Sequence, residues 1–129
     1  GMIYTHVRKG GDPMAGQLFV DLYGCDEKLL DDMEEIRVIA RRMVEEIGAQ
    51  IVEECTHKFQ PIGVTYIAVI TTSHFSIHTW PEYGYAAVDV FSCEADLPEK
   101  LADKLQKAFG AKSAVVNKFM RNVERRDYD

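Results

Sequence analysis

Apolar side chains recur along this chain at two spacings, and each switch between them marks a change of element. Over residues 17–23 they alternate in twos on both sides, Leu18, Val20 and Leu22 against Phe19 and Tyr23, as in a strand well inside a sheet. Gly24, Cys25 and Asp26 turn the chain. Beyond them Leu29, Met33, Ile36, Ala40, Met43 and Ile47 are spaced four and three apart in turn, which predicts one amphipathic helix closed by Gly48. Alternation returns over residues 49–59 and stops at Pro61 and Gly63. A strongly apolar strand is predicted over 64–70. Phe75, Ile77 and Thr79 then alternate with His74, Ser76 and His78, the breakers of residues 81–84 follow, and residues 85–92 are rich in β-formers, so a hairpin is predicted. A second helix is expected with Asp96 as N-cap before Leu97 and Pro98, its stripe formed by Leu101, Leu105 and Ala108 and its end set by Gly110. A last strand is predicted over 111–123. Residues 2–16, with Gly10, Gly11 and Pro13, read as a loop or arm.

The resulting order is β-α-β-β, then β, then β-α-β, two repeat-like halves. Runs of adjacent strands between separated helices favour an α+β two-layer sandwich, a mostly antiparallel sheet with two helices on one face. The other face then carries Phe59, Trp80, Tyr85 and Phe91, too much aromatic surface to leave wet. A homodimer is the simplest cover.

Composition narrows the class. A length of 129 residues and 47% apolar content fit one globular domain over residues 1–129. The net charge of −6 gives no basic footprint for nucleic acid, and no apolar run approaches a membrane span of ~18 residues. A cytoplasmic protein with neither partner is expected. Cys25, Cys55 and Cys93 are odd in number and lack the spacing of a zinc site, so neither a disulfide framework nor a structural metal is expected.

Reactive side chains concentrate in residues 71–93, where Ser73, His74, Ser76, His78, Glu82, Asp89 and Cys93 share the predicted hairpin. Strict alternation puts Ser73 on the opposite face from His74, Ser76 and His78, so an irregularity at Ser73 is expected if they are to meet. Taken singly, each has an ordinary explanation: His78 a hydrogen-bonded strand histidine, Cys93 a core thiol, Thr65 a β-branched strand residue, Glu82 a solvated turn carboxylate.

The string SHFSIHTWPEYGYAAVDVFSC over residues 73–93, with FQPIGVT over 59–65, resembles the small prokaryotic S-adenosylmethionine decarboxylases, and LFVDLYGC over 18–25 extends the resemblance more loosely. It implies an enzyme that makes its own cofactor. The Ser73 hydroxyl would attack the carbonyl of Thr72, giving an ester whose elimination splits the chain and leaves a pyruvoyl group in place of Ser73. That carbonyl would join the amine of S-adenosylmethionine and take up the electrons released with carbon dioxide, giving the aminopropyl donor for spermidine. By the same resemblance His78 assists processing, an imidazole being able to give and take protons near neutrality. Thr65 supports processing by hydrogen bonding, and Cys93 protonates the product carbon. Phe59 packs on the adenine or the sulfonium-bearing chain, Glu82 accepts the ribose hydroxyls, and Trp80 walls the substrate site.

The sequence departs from the family at one relevant place, where Thr72 stands before the processing serine in place of the usual glutamate. Three alternatives stay open: an unprocessed relative that binds a nucleoside or regulates a partner, a pyruvoyl decarboxylase of another amino acid, and a Ser/His or Cys/His hydrolase.

Overall fold

The computed structural model describes residues 14–93 and 100–128. Six strands, β1 (Met14–Tyr23), β2 (Ile51–Lys58), β3 (Val64–Ile70), β4 (Ser73–Trp80), β5 (Tyr85–Ser92) and β6 (Ser113–Asn122), form one sheet in the order β2-β3-β4-β5-β1-β6. Every neighbouring pair is antiparallel. Helices α1 (Glu27–Leu30), α2 (Met33–Glu46) and α3 (Lys100–Ala108) accompany it. The α+β class, the antiparallel sheet and the inner position of β1 agree with the sequence pattern.

Two details differ. The first strand begins at Met14 rather than at 17, because residues 14–16 pair with β6 and Gly16 also pairs with β5. The single predicted helix over 29–47 is two helices. Asp26 caps the first, accepting hydrogen bonds from the Lys28 and Leu29 amides, and Asp32 caps the second through the amides of Glu34 and Glu35. An aspartate at a helix start competes for just those N–H groups, so the stripe continues while the backbone is reset. The predicted cap at Asp96 lies outside the described residues.

The core lies between the helices and one face of the sheet. Tyr66, Phe75, Ile77, Val88, Leu30, Ile36, Leu101, Leu105 and Phe109 are buried there to 1% exposure or less. The opposite face carries no element of this chain among the described residues, and Ile67, Val69, Val115 and Phe119 on it are 47–58% exposed. Four strands of this face also hold the polar groups that matter below: His57 on β2, Thr65 on β3, His74, Ser76 and His78 on β4, and Asp89 on β5.

Candidate active site

Two groups of side chains stand at opposite ends of β4. At the C-terminal end the register sets Thr65 opposite His78, and Thr65 Oγ1 lies 3.0 Å from His78 Nδ1. One of the two donates to the other, and either tautomer fixes the plane of the ring. A cleft of about 410 Å³ opens beside this pair, walled by Phe59, Ile62, Trp80 and Glu82. Such a volume suits a small molecule of nucleoside size.

The walls are held by identifiable contacts. His57 meets the edge of Phe59 at 4.5 Å, and the Phe59 amide donates to the Gly63 carbonyl. The carboxylate of Asp31, at the end of α1, accepts from the Gly63 amide at 2.8 Å and pairs with Lys58 at 3.0 Å. The Gly63 hydrogen bond, with help from Lys58, holds the Asp31 carboxyl below its ordinary range. Thr79 Oγ1 donates to the Leu30 carbonyl at 2.7 Å and accepts from the Val64 amide at 2.9 Å, fixing β4 against α1. Glu82 lies in the 3₁₀ turn Pro81–Tyr83, which ends at Gly84 with φ 59°, a left-handed value that suits glycine. Trp80 stacks at 5.3 Å on Tyr85, whose hydroxyl donates to Asp21.

At the N-terminal end, β3 and β4 are joined by the two-residue loop Thr71–Thr72, since Ile70 pairs with Ser73. Ser73 is half-buried and has φ 150°, the one positive φ outside glycine among the described residues. Ser73 also pairs with Ser92, and the carbonyl of Thr72 accepts a hydrogen bond from the Cys93 amide at 2.8 Å. The peptide carbonyl before Ser73 is therefore held beside the residue expected to protonate the product.

The expected irregularity at Ser73 takes the form of this backbone torsion. No bulge accompanies it, and the ladder runs unbroken from Ser73 to Trp80. Ser73 and His78 are not brought together within one chain. Five residue steps along the strand separate them, ~16 Å at ~3.3 Å per step. Of the sequence-predicted residues, Phe59, Thr65, His78, Trp80 and Glu82 share the cleft, while Thr72, Ser73 and Cys93 form the junction.

Asp21 was not singled out by the sequence. Its signal was a carboxylate in an otherwise apolar central strand. On the bare face it receives the Tyr85 hydroxyl and neighbours Asp89. Burial raises the Asp89 carboxyl above its ordinary range, opposed by the charges of His78 and His74 and reinforced by Asp21. Burial and the bond to Asp21 also raise the Tyr85 phenol. Burial pushes the Cys25 thiol up to about 11, which marks it as a core residue rather than a nucleophile.

A sequence profile described as S-adenosylmethionine decarboxylase matches residues 16–122. The chain belongs to the S-adenosylmethionine decarboxylase family. Among its relatives is the S-adenosylmethionine decarboxylase proenzyme of Prochlorococcus marinus, 42% identical over 81% of this chain and 84% of that protein. Another is the proenzyme of the same name from Carboxydothermus hydrogenoformans, 44% identical over 82% of this chain and 84% of that protein. The crystal structure of the adenosylmethionine decarboxylase from Aquifex aeolicus superposes with a TM-score of 0.76 at 28% identity, covering 92% of this chain and 99% of that one. No helix among the described residues is long and apolar enough to cross a membrane.

Proposed function

We propose that this chain cleaves itself between Thr72 and Ser73 and, with the pyruvoyl group so formed, decarboxylates S-adenosylmethionine. Family membership sets the reaction class. The observation that carries the assignment to these residues is the junction, where the Thr72 carbonyl is fixed by the Cys93 amide next to a half-buried serine hydroxyl.

The residues present fit such a group. A hydrogen-bond donor on the Thr72 carbonyl oxygen draws charge from its carbon and stabilises the oxyanion that forms when the Ser73 oxygen attacks. The group attacked at position 72 is its backbone carbonyl, so threonine in place of glutamate leaves this chemistry available. A pyruvoyl group at residue 73 would supply an electron sink for the bond to the departing carboxylate. Cys93, next to the junction, holds a proton for the product carbon. The cleft binds the nucleoside portion: Phe59 and Trp80 offer aromatic faces to the adenine and the sulfonium cation, and Glu82 accepts from the ribose hydroxyls.

The separation of His78 from Ser73 gives the uncovered face of the sheet a role. A second copy packed face to face and antiparallel buries Ile67, Val69, Val115 and Phe119. It also sets the Thr65–His78 pair of each protomer over the junction of its partner. The homodimer is thus the acting unit, with each site built from both chains.

Denaturing mass spectrometry of fresh and aged protein tests the proposal. Two fragments splitting between Thr72 and Ser73 are expected, the C-terminal one blocked and reactive to a carbonyl reagent, together with release of carbon dioxide from carboxyl-labelled S-adenosylmethionine. A chain that stays intact and inactive rejects it.

A further inference from the structure

The loop that carries the scissile bond has the wrong residues for its length. Two-residue hairpin loops favour turns with positive φ at one or both loop positions, whose twist matches the strands they join, and therefore favour Asn-Gly and similar pairs. Here the loop is Thr71–Thr72. Both residues are β-branched, which makes positive φ costly, and both keep negative φ. The mismatch passes to the next residue, and Ser73 takes the φ of 150° that an L residue rarely adopts.

Hydrogen bonds on both flanks prevent the loop from relaxing. The Thr71 amide donates to the Gln50 carbonyl at 2.9 Å, and Thr71 Oγ1 accepts from the Gln50 amide at 3.0 Å. On the other side the Cys93 amide holds the Thr72 carbonyl. The Thr72 hydroxyl does not compensate: its residue is 5% exposed and Oγ1 has no hydrogen-bond partner among the described residues.

We infer that Thr71 and Thr72 are positioning residues for self-cleavage, a β-branched turn that concentrates backbone strain at Ser73, which the first covalent step removes. The inference rests on the self-cleavage proposed above. In that step the bond from Ser73 Oγ to the Thr72 carbonyl carbon forms, the C–N bond between the two residues breaks, and the hydroxyl proton ends on the released Ser73 amine. The strained torsion runs through that C–N bond. Once the bond is gone the torsion no longer exists, so the strain raises the intact chain and not the ester.

The test replaces the turn while keeping the nucleophile. The double variant Thr71→Asn/Thr72→Gly provides a loop that accepts positive φ, and should cleave at least about tenfold more slowly, ~1.4 kcal/mol in barrier. This is expected even though glycine opens the carbonyl to attack. Thr72→Val, which keeps the β-branch, should cleave within about threefold of the parent. Stability of uncleavable chains gives an independent reading. Ser73→Gly should have a higher denaturant midpoint than Ser73→Ala, the reverse of the usual order in a strand, and in the Asn-Gly background the usual order should return. Equal cleavage rates for parent and Asn-Gly chains, or Ser73→Ala the more stable in the parent background, overturn the inference and leave the decarboxylase reading standing. A parent chain that never cleaves overturns both, and the order of the two midpoints then shows whether the strain is present without being used.

Discussion

Replacing Thr65 by valine keeps the shape of the side chain and deletes the one hydrogen bond on the His78 ring among the described residues, the 3.0 Å contact between Thr65 Oγ1 and Nδ1. The pair is partly buried at the edge of the cleft. A bond of this kind contributes ~0.5–1.5 kcal/mol net. If its whole effect falls on the orientation of the imidazole during proton transfer, each ~1.36 kcal/mol is tenfold in rate, and cleavage slows by about 2- to 13-fold. Thr65→Ser keeps the hydroxyl and should stay near the parent rate. The assay is a time course of chain cleavage, quenched in acid and read by denaturing mass spectrometry. Because the threonine acts only through His78, the double variant Thr65→Val/His78→Ala should cleave no more slowly than His78→Ala alone. Parent-like cleavage by Thr65→Val, equal slowing by Thr65→Ser, or additive losses in the double variant would refute the reasoning.

Two further predictions concern the uncovered face. When Ser73→Ala and His78→Ala chains are unfolded and refolded together in equal amounts, random pairing places about half of the His78→Ala chains beside a partner with an intact histidine. About half of them should then cleave, and a mixture that cleaves no more than His78→Ala alone would show that the site is not shared. Asp89, whose carboxyl is raised by burial, costs stability when ionised. With the native value above the unfolded one, its contribution is fully present below the unfolded value and lost as pH rises through the native one. Asp89→Asn should therefore melt higher than the parent at neutral pH, the gap closing as the solution is acidified through the carboxylate range. A gap that does not change with pH would exclude this origin.

Much of the architecture was legible because periodicity reports which face of an element is dry. β3 follows from its run of apolar residues, and the hairpin of β4 and β5 from alternation, β-formers and the breakers at Pro81 and Gly84. The helix boundary at Asp31–Asp32 was not legible from the stripe, since apolar spacing records the buried face and is silent on which amides an aspartate captures. The cleft was legible only in part. Phe59 and Glu82 were picked out by their place in a recognisable string, while Asp31 and Thr79, which hold the walls, look like ordinary loop and strand residues until Gly63 and Leu30 are found beside them.

The sequence by itself determined the strands and their order along the chain, the bare apolar face and the family, because these depend on local residue order and on a long motif. Tertiary structure decided what the motif does in space. The rise of an extended strand keeps Ser73 and His78 ~16 Å apart however close they look in sequence. The pairing of β4 with β5 brings Cys93 to the Thr72 carbonyl across 21 residues of chain. The strain at Ser73 likewise arises from neither residue alone, but from a β-branched loop forced to join two strands whose twist and pairing the rest of the sheet has already fixed.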